Sequence, residues 1–110
     1  MSNSPKTLLP NKLPSDRRII SATLALNIDI APGETITTAV WTCTPYEGVD
    51  PNAAAMISGV ASINGNTTSQ MVINGVIGVT YMIACTITTS LGQILTKVGY
   101  MQVTSMRELF

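Results

Sequence analysis

Residues 81–98, YMIACTITTSLGQILTKV, decide the fold. Tyr81, Ile83, Cys85 and Ile87 alternate with Met82, Ala84, Thr86 and Thr88. A period of two puts the first set on one face of a strand and the second set on the other. TSLGQ at 89–93 turns the chain, and Ile94–Val103 reads as the returning strand, so the unit is an antiparallel hairpin. Gly99 sits inside that second strand, where a glycine marks a bulge or the close approach of another backbone. No charge occurs before Lys97. Met82, Ala84, Thr86 and Thr88 therefore form a flat, uncharged face with weak defence against edge pairing.

The same alternation recurs upstream. Ile20, Ala22, Leu24, Leu26, Ile28 and Ile30 predict one half-buried strand over Ile20–Ile30. APGE at 31–34 predicts a turn, with Pro32 at its second position and Gly33 free to take a positive φ. Thr35–Thr44 is the next strand, and Ala39, Trp41 and Cys43 face inward because Trp41 is the largest apolar body in the chain. Pro45 is expected to stop it, leaving 45–52 as loop. Residues 52–63 read as a brief turn at the three alanines and then a strand over Ile57–Ile63, broken by Gly59. Asn-Gly signals at 64–66 and 74–78 bracket a strand over Thr67–Ile73, with Met71 and Ile73 on one face.

About seven short strands, frequent turn signals and no long helix predict an all-β fold, an antiparallel sandwich. An immunoglobulin-like arrangement suits 110 residues, and a small Greek-key barrel has the same periodicity. Pro5, Pro10 and Pro14 make residues 1–16 an extended N-terminal arm. The expected division is the arm over 1–16, a sandwich domain over 17–104 and a short tail, SMRELF, over 105–110.

Composition narrows the function. Charged residues are 11% of the chain and the net charge is zero, so there is no electrostatic footprint for nucleic acid and little attraction to an anionic membrane. The run VIGVTYMIAC at 76–85 is about half the length of a spanning helix. The N-terminal segment lacks an apolar signal region, so an intracellular start with reduced cysteines is expected. From Pro51 to Thr96, 46 residues carry no Asp, Glu, Lys or Arg. Either a polar, uncharged surface surrounds an ordinary core, or the surface is covered by partners, since interface cores are poor in charge.

Catalytic chemistry has few candidates. Without histidine, neither Ser-His nor Cys-His nucleophile pairs can form. The carboxylates Asp16, Asp29, Glu34, Glu47, Asp50 and Glu108 fall at strand ends, in loops or in the tail. Glu47 and Asp50 share a loop but lack the ligand spacing of a calcium loop. Cys43 and Cys85 fall on strands expected to be neighbours in one sheet, where a disulfide is strained, so both read as small buried thiols. No enzyme activity, cofactor or metal is expected. Asn66-Thr67-Thr68 matches a glycosylation sequon but reads as a hairpin turn. Tyr81, opening its strand after NGVIGV, is either a tyrosine corner or a plain cap on the core.

Four landmarks, NKLPSDRR (11–18), PGETITTAVW (32–41), SGVASI (58–63) and NGVIGVTYMIACTITTSLGQIL (74–95), resemble small structural proteins of tailed bacteriophages, of the fibre–tail adaptor type. The resemblance covers about residues 11–103. It implies an Ig-like sandwich in a virion, made in the host cytoplasm, linking tail or neck components to fibres, with other virion proteins and copies of itself in a symmetric assembly as partners and no nucleic acid or membrane among them. A capsid decoration or cement protein shares these features, and a host-glycan-binding module using Tyr46 and Tyr100 is a third reading. On the adaptor reading the expected partner-facing residues are Pro10, Asn11, Lys12, Leu13, Pro14, Arg17 and Arg18 of the arm and its exit. Met82 and Thr86 of the uncharged face and Leu109 and Phe110 of the tail complete the set.

Overall fold

A computed structural model of the chain describes residues 8–105. Six strands follow in order: β1 (Arg18–Thr23), β2 (Ile36–Glu47), β3 (Ile57–Asn64), β4 (Thr67–Val72), β5 (Thr80–Thr89) and β6 (Ile94–Gln102). A single 3-10 turn, Ala53–Met56, precedes β3. The strands form two antiparallel sheets, ordered β1-β4-β3 and β2-β5-β6. This is the immunoglobulin layout without its first strand. The seventh position is taken by the arm, which pairs in parallel with the end of β6 through isolated bridges, Leu8 to Tyr100 and Lys12 to Val103.

The core lies between the sheets. Tyr81, Ile83, Cys85 and Ile87 of β5 point into it, as the alternation predicts, and meet Ile20, Ala22 and Val72 from the other sheet. Each fully buried aliphatic side chain contributes about 1.5–3 kcal/mol. Trp41 stands opposite Cys85 in the β2–β5 register, and its indole nitrogen donates across the core to Thr68 Oγ1 at 3.3 Å. Cys43 pairs with Ile83, so both cysteines do lie in one sheet; both are free and buried. Burial pushes the Cys43 thiol up to about 12, with Asp50 adding to the shift, and the Cys85 thiol up to about 11.

Three local expectations are corrected. The strand predicted over Ile20–Ile30 ends at Thr23. Leu24 and Ile30 are buried, but Leu26 and Ile28 are 54% and 84% exposed. Asn27 takes φ 63°, and Asp29 Oδ2 accepts the Ala25 amide at 2.7 Å, so the side chains close a tight loop that the hydrophobic pattern does not show. Pro45 does not stop β2, which runs on to Glu47 with a register shift after the proline. β2 is an edge strand, so the missing amide costs no ladder bond. The hairpin face also has no open edge along β5, because β5 lies between β2 and β6. In β4 the inward set is Thr68, Gln70 and Val72, leaving Met71 and Ile73 only half-buried.

Gln70 explains how a polar group sits inside. β3 bulges between Ser58 and Ser62, with Gly59 at φ 74°. Gln70 Nε2 donates to the Ser58, Gly59 and Met71 carbonyls at 2.7, 3.3 and 3.1 Å, replacing ladder bonds that the bulge removes.

Candidate docking surfaces

Nine charged side chains fall within the described residues, and most are turned to internal use. Lys12 is fully buried. Its Nζ donates to the carbonyls of Leu13 at 2.8 Å, Pro14 at 3.4 Å and Asn74 at 2.5 Å. Burial holds its ammonium below the ordinary lysine range, and nearby Asp16 partly offsets this. Asp16 Oδ2 in turn accepts the Leu13 amide at 3.1 Å. Lys12 thus fastens the arm to the turn before β5.

Tyr81 holds the same end of the body. Its hydroxyl accepts from the Val76 amide at 2.8 Å and donates to Asp50 Oδ2 at 2.6 Å. The bond back to the backbone five residues upstream makes it a tyrosine corner. Burial, then the bond to Asp50, pushes the phenol up to about 12.

At the opposite end Glu34 is buried in the predicted turn, where Gly33 has φ 84°. Its carboxylate accepts from the Thr89 hydroxyl, from Gln93 Nε2 at 2.9 and 3.1 Å, and from the Ala31 amide at 2.9 Å. The Thr89 bond, then the Ala31 amide, lowers its pKa against the opposing effect of burial. Asp29 pairs with Lys97 at 2.9 Å, bridging the β1 exit loop to β6. The bond from Ala25, then that from Lys97, lowers the Asp29 pKa.

The outer faces carry little charge: in the outward rows of the β2-β5-β6 sheet the one charged residue is Glu47, at the end of β2 opposite Thr80. On the β2-β5-β6 sheet the aligned rows are Thr38–Thr88–Ile94, Val40–Thr86–Thr96, Thr42–Ala84–Val98 and Thr44–Met82–Tyr100. Tyr46 packs edge-to-face on Tyr100, with centroids 4.7 Å apart. With the ring planes inclined at 63°, the pair forms one patch at the margin of the sheet rather than two parallel platforms for sugar rings. The other sheet shows Ile19–Met71–Ser58, Ser21–Ser69–Ser62 and Thr23–Thr67–Asn64. Its hydroxyls bond across strands, Ser21 to Ser69 at 2.7 Å and Thr23 to Thr67 at 2.9 Å.

The residues expected to face partners are scattered across these surfaces. Pro10, Asn11 and Arg17 are exposed, whereas Leu13, Pro14 and Arg18 are half-buried and Lys12 is inside. Met82 is half-buried and Thr86 exposed, both on the outer face of the central strand β5. Leu109 and Phe110 lie outside the described residues. Val40 and Val98, flanking that centre, were not singled out; their signal was the same alternation read in β2 and β6. Leu9 was also missed. Its side chain comes within about 3.0 Å of where a Cβ on Gly99 would stand, so a side chain, rather than the backbone expected there, makes the close approach at the glycine. The Leu9 amide donates to Tyr100 O at 2.8 Å, Lys12 to Gln102 O at 3.0 Å, and Thr104 returns a bond to Lys12 O at 2.8 Å.

Among the described residues no group of three or more His, Cys, Asp or Glu could hold a metal, and no helix is long and apolar enough to cross a membrane. A family model described as podophage GP4 fiber-tail adaptor protein gp77 matches residues 12–101. The chain belongs to this fiber-tail adaptor family. No curated protein matches it. The adaptor family carries a structural role in the phage tail, in accord with a molecule whose charged groups mostly brace loops.

Proposed function

We propose that the chain is a rigid spacer docking tail and fibre proteins through its uncharged sheet faces, with no chemistry of its own. The internal use of charge carries this reading: Lys12, Glu34 and Asp50 are buried and Asp29 is paired with Lys97, while the outer strand rows are uncharged apart from Glu47 at the end of β2. Interface cores are depleted of charge in the same way. Several copies in a symmetric assembly in the virion tail, made in the host cytoplasm, would add weak contacts into a firm joint. A cement protein would need the same faces, but the adaptor family favours the tail. In this reading residues 1–16 remain the arm, 17–104 the sandwich and 105–110 the tail, with part of the arm already packed on β6. Pro10, Asn11 and Arg17, exposed where the arm leaves the body, and Met82 and Thr86 on the sheet remain the proposed contacts.

The test is Val40→Lys with Thr86→Lys, neighbours in the β2–β5 register on the outer face. The two lysines stand opposite each other and repel, so a stability loss of about 1 kcal/mol is expected, which leaves the variant folded. Fibre attachment in an assembly assay should fall by about tenfold or more, since two unpaired charges would be trapped in the joint. Normal attachment by the folded variant would remove this face from the proposal.

A further inference from the structure

The two sheets do not close on each other everywhere. β1 pairs only with β4, and β6 pairs with β5 and, at its far end, with the arm. Between these two strand edges lies a cavity of about 190 Å³. Ile20, Ala22, Trp41, Ile83 and Cys85 form its walls, and Lys97 stands at its rim. Leu9, seated on Gly99, closes one end with a branched apolar side chain. The Asp29–Lys97 pair spans the loop side. An apolar cavity of roughly 150 Å³ is enough to take a benzene ring. The opening is therefore suited to one aromatic side chain carried on an extended segment that runs between the strand edges.

The chain holds one segment of that chemistry outside the described residues: Met106, Leu109 and Phe110 lie in the tail, whereas residues 1–7, MSNSPKT, offer only Met1. A molecule's own tail is badly placed to use the cavity. The strand from Gly99 stays hydrogen-bonded through Thr104, so Ser105 lies about 20 Å beyond the cavity at ~3.3 Å per residue. Five more residues reach at most about 17 Å when fully extended, which leaves no length for reversing direction. The tail of a neighbouring copy has no such constraint. In sequence, Arg107 and Glu108 precede Leu109 and Phe110 and carry both signs of charge, as the Asp29–Lys97 pair at the rim does.

We propose that Phe110 of one copy seats in the seam between β1 and β6 of the next, joining copies head to tail. This deepens the adaptor reading and rests on its requirement for repeated copies. Such a contact uses two different surfaces, so it closes into a ring if the rotation between copies permits, and otherwise extends as a filament.

Trp41 is the single tryptophan and lines the cavity, so its emission reports occupancy. Full-length chain and its Phe110→Ala variant are compared by sedimentation and Trp41 emission across a concentration series. The wild-type chain should associate, with the emission change tracking association. The variant should need about tenfold or more higher concentration for both, given the apolar surface that a phenylalanine buries. A free peptide of residues 105–110, added to the variant, should restore the emission change saturably, and the same peptide with alanine in place of phenylalanine should not. Equal association of both chains overturns the proposal, as does an emission response in the monomer that does not depend on concentration, or a monomer blind to the peptide. If Phe110→Ala still carries fibres normally onto particles, this contact is lost and the adaptor reading stands. If particles lacking the chain entirely carry fibres, the adaptor reading itself fails.

Discussion

The loop ends and the sheet faces of this molecule are built on opposite rules. At the ends, charged and polar groups go inside and hold separate turns together: Lys12 on the Asn74 carbonyl, Tyr81 on Asp50, Glu34 on Thr89 and Gln93. On the faces, rows of threonine, serine, valine and alanine carry no charge before Glu47 at the end of β2, and depend on the ladder and the core for their order. An uncharged flat sheet tolerates a partner, and a buried charge with fixed carbonyls tolerates none. Specific charge thus fixes the shape, and its absence leaves the faces available for contact.

The sharpest way to break this contrast is Lys12→Ala. It leaves the Asn74 and Leu13 carbonyls without their donor and frees the arm from the turn before β5. A loss of about 3 kcal/mol is expected, since each buried group without a partner costs about 1–3 kcal/mol. Urea denaturation measures it. A change under about 1 kcal/mol would mean that water replaces the ammonium and that the arm is held by Leu9 and the β6 bridges alone.

Tyr81→Phe is the next smaller step. It keeps the ring in the core and removes only the hydroxyl between Val76 and Asp50. About 1–2 kcal/mol should be lost, with hydrogen exchange at the Val76 amide rising more than at β5 amides. Uniform exchange across both would show that the corner does not act as a local clamp.

What the residues disclosed in advance follows the same contrast. The inward set Tyr81, Ile83, Cys85 and Ile87, the placement of Trp41 and the Gly33 turn are encoded locally, by period and by turn chemistry, and the structure carries them. The arrival of the arm at β6 was hinted at only by Gly99. The burial of Lys12 left no signal, because its partners are backbone carbonyls, one of them 62 residues away, and carbonyls are present at every position. The loop over 24–30 was misread for a related reason. Leu26 and Ile28 continue the alternation, while Asn27 at φ 63°, backbone bonds to the Ala25 carbonyl and the bond of the Ala25 amide to Asp29 turn the chain. The proposed contacts on the sheet faces have only a missing feature behind them in the sequence, the 46-residue gap in charge, which names no partner.

The mildest test uses acid, which acts on the carboxylates that brace the ends. Glu34 and Asp29 both have folded pKa values below their ordinary values of 4.5 and 3.8, through the Thr89 and Ala25 bonds respectively. A depressed carboxyl pKa means that the unfolded chain binds more protons than the folded one in the window between the two values. The stability these groups contribute is therefore complete above about pH 5, and is lost as pH falls through the folded values. Urea midpoints should hold steady from pH 7 to about 5 and decline below about 4.5. In Glu34→Gln the decline should be shallower, because one of the two responsible groups no longer titrates, while the midpoint at neutral pH is already lower through the altered bonds to Thr89 and Ala31. An acid slope identical to wild type would take Glu34 out of the bracing of that end. A midpoint indifferent to acid in the wild-type chain would mean that the charges at the loop ends are no more integral to the fold than those absent from its faces.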